Sequence, residues 1–127
     1  MNASLVRRLY AAIEADESAT VASLVAPDVL LRVPGNHPAA GDYVGTAGLA
    51  EFLAASAAIA PGGAHTEVID ILGGDNHAAV YAITRAERPG RPPLANPTLH
   101  LLEIRHGRVL RVWFHNRDQA SVDAFWS

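Results

Sequence analysis

Val33-Pro34-Gly35-Asn36-His37-Pro38-Ala39-Ala40-Gly41-Asp42-Tyr43-Val44-Gly45-Thr46 divides the chain into two unlike parts. Two prolines and three glycines in fourteen positions leave no room for a helix or a central strand. The apolar run Val29-Leu30-Leu31-Arg32-Val33 before it reads as a strand, and Thr46-Ala47-Gly48-Leu49-Ala50-Glu51-Phe52-Leu53 after it reads as a helix start. The segment is therefore a strand-to-helix loop, too long for a minimal turn, and long loops in compact domains are often functional. His37, Asp42 and Tyr43 are expected at the mouth of whatever the strand and helix enclose.

Upstream, Leu5, Leu9, Ala12 and Ile13 recur at helical spacing, which predicts an amphipathic helix over about residues 3–15. Ser18 to Val25 reads as a second helix, with Pro27 after its end. Downstream, Thr46 is a candidate N-cap for a helix to about Ile59, because its hydroxyl can accept an unpaired first-turn N–H. Leu49, Phe52, Leu53 and Ser56 or Ala57 form that helix's inner stripe, and Pro61-Gly62-Gly63 ends it. Four β runs follow: Thr66–Leu72, Ala78–Ala86, Thr98–Arg105 and Val109–His115, separated by turn residues. Asp118 is placed to cap a short helix, Gln119 to Trp126. Helices segregated from a run of antiparallel strands predict an α+β domain. A curved sheet covered by three helices on one side leaves a cone with one open end.

Composition narrows the function classes. A chain of 127 residues suggests one domain spanning 1–127, and 50% hydrophobic content is enough to build a core at that size. A net charge of -3 supplies no basic field for nucleic acid or anionic lipid. The absence of cysteine removes disulfides, thiolate chemistry and Cys-ligated zinc. The first residues lack a signal-peptide pattern, and no apolar run approaches the roughly 20 residues of a membrane span. The expectation is a soluble, cytoplasmic protein with no membrane or nucleic-acid partner.

Alternation in Thr98–Arg105 puts His100, Leu102 and Ile104 on one face, with Glu103 and Arg105 on the other. His100 then faces the pocket, either as an acid/base group near neutral pH or as a neutral core histidine. On the last strand, Leu110, Val112, Phe114 and Asn116 share the pocket face. Arg111, Trp113 and His115 share the outer face, which suits a dimer interface or a tryptophan lying on an arginine stem. Asp42 has the loop position of a residue that bonds its own turn, His37 is free to close over a ligand, and Asp70 is expected to point outward. The six histidines are scattered without metal-ligand spacing, and no phosphate loop or nucleophile elbow is present. No cofactor and no metal are expected.

The helix pair, the strand, Pro34-Gly35-x-His37-Pro38-x-x-Gly41-Asp42-Tyr43-x-Gly45, and the closing Trp113-Phe114-His115-Asn116-x-Asp118-Gln119-Ala120 together resemble SnoaL-like proteins. These belong to the wider ketosteroid-isomerase and nuclear transport factor 2-like group. The resemblance spans essentially the whole chain and implies a cystatin-like α+β roll with an internal pocket. Within it, the base carboxylate of ketosteroid isomerase falls at Val33. Its first-helix tyrosine falls at Leu9, with Tyr10 one step off and on another face. The Arg-acid triad of limonene epoxide hydrolase is broken at Phe114, leaving Arg85 and Glu87 as a solvated strand end. The SnoaL cyclases match best through a histidine at His100, but their last-strand aspartate is Asn116 here. The resemblance thus implies a cofactor-independent proton-transfer enzyme acting on a small apolar, polyketide-like molecule by cyclisation, isomerisation or dehydration. His100, Asn116 and His37 would be its catalytic groups, and Leu9, Val33, Tyr43, Phe52, Val112 and Phe114 would contact substrate. The alternative is a non-catalytic ligand-binding or dimerisation module, a homodimer through Trp113 and His115.

Overall fold

The structure is a computed structural model that describes residues 1–127. Its elements are α1 (Asn2–Glu14), α2 (Ser18–Leu24), β1 (Val25–Val33), β2 (Gly41–Val44), α3 (Gly45–Ile59), β3 (His65–Gly73), β4 (His77–Ala86), β5 (Leu94–Arg105), β6 (Arg108–Asn116) and α4 (Gln119–Trp126). One sheet holds all six strands in the order β2-β1-β6-β5-β4-β3. The α+β architecture agrees with the expectation, but the sheet is mixed, because β1 pairs parallel to β6. A parallel pair needs a long crossover, and everything from β2 to β5 lies between these two strands. No helix is long and apolar enough to cross a membrane.

Three local departures from the sequence reading have physical causes. The glycine-rich segment contains a strand: Gly41–Val44 pairs antiparallel with Leu30–Val33. An edge strand needs only one bonded side, so it tolerates neighbours that a central strand would not. The strand β1 starts at Val25 and absorbs Pro27, with a register shift between Val25 and Leu30. A bulge accommodates the missing proline N–H. Thr46 lies inside the first turn of α3, whose N-cap is Val44 without a side-chain bond. Gly48 explains the tight join between α3 and β2. A Cβ there would stand 2.8 Å from the Tyr43 carbonyl carbon.

Two bulges also reset side-chain faces. One lies between Val68 and Asp70. It leaves Ile69 exposed and Asp70 outward, with Asp70 Oδ1 accepting the Ile71 N–H at 2.9 Å. The other lies at Leu110, where Glu103 pairs with Arg111 but Ile104 pairs with Val109. Val109 is therefore fully buried and Leu110 is displaced from the inner face on which alternation placed it. The turn before β6 is a two-residue hairpin loop with positive φ at His106 and Gly107, as such a loop requires.

The main core joins Val6 and Leu9 of α1 and Leu24 of α2 to Val29 and Leu31 of β1, Val80 of β4, Leu102 and Ile104 of β5, and Val112 of β6. A second cluster, Ala86, Leu94, Val122, Phe125 and Trp126, seats α4 against the other end of the sheet. Asp118 caps α4 as expected, accepting the Ser121 N–H at 3.2 Å. At the far end of that helix, Arg88 Nη1 donates to the Phe125 carbonyl at 2.7 Å and to the Ser127 carbonyl at 2.9 Å. Arg91 donates to the Ala124 carbonyl. Cations on the last carbonyls oppose the negative end of the helix dipole.

Candidate functional site

The sheet's inner face and helices α1, α2 and α3 enclose a cavity of about 280 Å³. Leu9, Val25, Val29, Leu31, Leu49, Phe52, Leu102, Val112 and Phe114 supply much of its apolar wall. Its mouth opens between the α1–α2 corner, the exposed flank of α3 and the start of β3, where Glu14, Asp16, Glu17, Leu53 and Thr66 border it. At its base stands His100, 4% exposed.

The β5 alternation fixes the direction of His100, and an aromatic series fixes its plane. The His100 ring stacks on Phe114 with centroids 3.9 Å apart. Phe114 meets Phe52 edge-on at 5.9 Å, and Phe52 meets Tyr43 edge-on at 5.3 Å. On the other side Tyr10 tilts against the imidazole at 5.9 Å between centroids. Such pairs each add roughly 0.5–1.5 kcal/mol beyond area burial, so the imidazole is held in a rigid frame.

Tyr10 Oη lies 2.6 Å from His100 Nδ1. Burial raises the tyrosine hydroxyl above its ordinary value, so the phenol keeps its proton and needs an acceptor. Nδ1 is the acceptor in reach, which makes Tyr10 the donor and fixes the proton of the neutral ring on Nε2. Burial pushes the His100 pKa down to about 3, with the His115 charge adding to the effect. The ring is therefore neutral across the ordinary pH range. His100 bonds through Nδ1 alone. No sealed-off side-chain nitrogen or oxygen lacks a partner, so Nε2–H opens on the cavity. The site presents a fixed N–H donor at the end of an apolar chamber. A neutral imidazole of this kind can polarise a carbonyl or stabilise an oxyanion.

Leu9, Phe52, Val112 and Phe114 border the cavity with His100. Tyr10, which helical spacing set on another face from Leu9, borders it too. The cavity lies along the flank of α1 and spans enough of the helix surface to meet both neighbours. The other expected site residues lie elsewhere. Val33 is buried at 8% exposure and borders a shallow groove on the outer side with Arg32, Pro34, Asp42 and Trp113. Tyr43 packs under the loop, its hydroxyl donating to the Ala39 carbonyl at 2.8 Å.

Asn116 shares the inner face but sits at the end covered by α4, and does not border the cavity. Its Oδ1 accepts from Asn96 Nδ2 at 2.9 Å and from Thr98 Oγ1 at 2.8 Å, and its Nδ2 donates to Gln119 Oε1 at 3.0 Å. Gln119 Nε2 in turn donates to Asp123 Oδ1 at 2.9 Å, and that oxygen accepts the Asn36 N–H at 3.0 Å. Gly35, with φ of 115°, fits beneath Gln119 and Asp123, where a Cβ would collide. His37 does not border the cavity: its Nδ1 accepts the Ala39 N–H at 3.2 Å within its own loop. Burial lowers its pKa, partly offset by the Asp123 charge.

Fold and cavity define a cone-shaped α+β pocket protein. The chain belongs to the SnoaL-like domain family, whose pattern it matches over residues 6–112. An uncharacterized protein of Mycobacterium tuberculosis is 33% identical over 125 residues, 97% of this chain and 94% of its own length. Among solved structures, Bal32a from a soil-derived mobile gene cassette superposes with a TM-score of 0.92 at 26% identity, covering 99% of this chain and 96% of that one. TerC, crystallised with polyporic acid, has a TM-score of 0.83 at 19% identity, covering 98% and 97%. IdmH of Streptomyces antibioticus, provisionally assigned as a polyketide cyclase, has a TM-score of 0.70 at 22% identity, covering 94% and 92%. At those lower identities the likeness is one of fold.

Proposed function

We propose that this chain is a cofactor-independent enzyme that moves protons on a small, largely apolar, polyketide-like molecule, by isomerisation, cyclisation or dehydration. The observation that carries the reading is the buried Tyr10–His100 pair, 2.6 Å apart, with Nε2 open to an apolar cavity. A substrate carbonyl oxygen would accept the Nε2–H bond. As a proton leaves the adjacent carbon for a water molecule admitted with the substrate, charge builds on that oxygen. The imidazole holds the charge without becoming charged itself. Return of a proton at the conjugate carbon completes an isomerisation with no net change in proton count. Tyr10 holds the tautomer that makes Nε2 the donor. Membership of the SnoaL-like family supports a small-molecule role, and the provisional assignment of IdmH points toward polyketide chemistry.

A thermal-shift screen of aromatic polyketides, steroids and terpenoid epoxides finds the chemical class, because a ligand of the native state raises the melting temperature. Turnover of a hit is then compared with His100→Phe, which fills the site but has no N–H to donate. Loss of one oxyanion donor costs about 10²–10³ in kcat, and turnover within about threefold of wild type would remove His100 from the chemistry.

A second reading, compatible with the first, is a homodimer through the outer sheet face with Trp113 and His115. It is favoured by Leu72 at 59%, Leu99 at 39% and Tyr81 at 37% exposure. Strand pairing puts Leu72, Leu99 and Tyr81 on the face that carries Trp113 and His115.

A further inference from the structure

The cavity's charge is one-sided. Three carboxylates border its mouth, Glu14, Asp16 and Glu17, and no arginine borders it; the chain contains no lysine. Glu14 is engaged by His65 Nδ1 at 2.8 Å, but Asp16 and Glu17 form no ion pair. The negative end of α1 and the positive end of α2 meet at this corner, where Glu17 is the N-cap of α2, so the helix dipoles oppose each other and the carboxylates set the sign. Acidic residues at a helix corner would by themselves be a solvated surface. Here they ring the opening of an apolar chamber whose floor is a nine-tenths-buried histidine with an unpartnered donor nitrogen. Exposed Ile13 and Leu53, at 36% and 47%, continue the apolar wall outward to the same rim.

We propose that the cavity takes an elongated organic amine, with an oxygen acceptor on His100 Nε2, an apolar body along the chamber, and an ammonium group at the Asp16–Glu17 rim. This rests on the pocket reading above and names the substrate class within it. The same rim repels ligands that trail a carboxylate or phosphate, so the substrate enters free rather than on a phosphate-bearing carrier. A unit charge about 6 Å from a carboxylate in water changes affinity roughly threefold, and two carboxylates about tenfold.

Three probes share one aryl ketone body and differ at the far end: trimethylammonium, its neutral tert-butyl isostere, and carboxylate. Isothermal titration at low salt should give the order ammonium, tert-butyl, carboxylate, with about tenfold between the first two. The ratio should shrink toward one at about 0.5 M salt, where the Debye length is only a few ångströms. It should also collapse in the Asp16→Asn, Glu17→Gln double variant. Asparagine tolerates the positive φ of 56° at position 16, and an unchanged melting temperature verifies folding. Equal affinity of ammonium and tert-butyl probes, or a preference that survives the double variant, overturns the charge assignment and leaves the pocket reading standing. Failure of all three probes to bind overturns both.

Discussion

Replacing His100 with glutamine should flatten the acid limb of this protein's stability curve. The His100 pKa is about 3 in the folded chain, against 6.5 for an unperturbed histidine, with burial the leading cause. The unfolded chain therefore takes up the proton first. The neutral ring's contribution to stability is complete above pH 6.5 and is lost progressively as pH falls toward 3. At 1.36 kcal/mol per pH unit, His100 alone removes about 2 kcal/mol between pH 7 and pH 5, and about 4 kcal/mol by pH 3. Urea denaturation at pH 7, 6 and 5 measures the slope in wild type and in His100→Gln, which keeps an acceptor for Tyr10 and cannot titrate. The difference between the two slopes cancels the other histidines, including His65, whose pKa is raised by its bond to Glu14 and whose effect on stability runs the opposite way. Wild type should lose about 2 kcal/mol more than the variant by pH 5. Parallel slopes would mean that the imidazole is not held neutral by burial. His100 would then titrate in the folded chain, and Nε2–H would not be a fixed donor.

Tyr10→Phe should cost about 1–3 kcal/mol, because it leaves a buried imidazole nitrogen without its donor. It should also turn the single tautomer seen by ¹⁵N NMR of the ring nitrogens into a mixture; an unchanged spectrum would show that Tyr10 does not set the proton. Asn116→Leu keeps the volume but strands the donors of Asn96 and Thr98 and the acceptor of Gln119. A loss of about 2 kcal/mol or more is expected, with faster amide exchange at Asn36 and in α4 while ligand affinity at the cavity is retained. Trp113→Glu should shift sedimentation from dimer to monomer, and a wild-type chain that sediments as a monomer would dispose of the outer-face interface.

The sequence carried the parts of the fold that depend on local period. Alternation in Thr98–Arg105 placed His100, Leu102 and Ile104 inward, and all three are buried. The helical spacing of Leu9 and Ala12 matched the buried side of α1, while Ile13 of the same expected stripe is exposed. What it could not carry depends on partners remote in the chain. The strand Gly41–Val44 exists because β1 offers it an edge, although its own residues read as loop. The bulge at Leu110 exchanges Val109 for Leu110 on the inner face, and alternation assumes that no such step occurs. Tyr10 was visible as a polar residue beside the apolar stripe, but its partner lies 90 positions away. A large aromatic next to Leu9, rather than a charged residue, was the available signal. Asn116 shares its inner face with Phe114, yet one lines the cavity and the other is roofed by α4. Face assignment alone does not distinguish the open end of a sheet from its covered end.

The polar chain from Asn116 through Gln119 and Asp123 to Asn36 has a consequence for how the molecule assembles. The Asn36–Asp123 bond joins residues 87 positions apart, and the parallel β1–β6 pairing has a comparable span. Contacts of such long sequence separation carry a large loop-closure entropy and slow folding. The hairpins β3–β4 and β5–β6 close over short distances, so they form first and present a sheet edge that waits for β1. Until the Gln119–Asp123 turn of α4 clasps the Pro34–Asn36 corner, that loop has little to hold it. Sequence separation thus places the α4 clasp among the late contacts of folding, and a segment that lines no part of the chamber fixes the strand-to-helix loop.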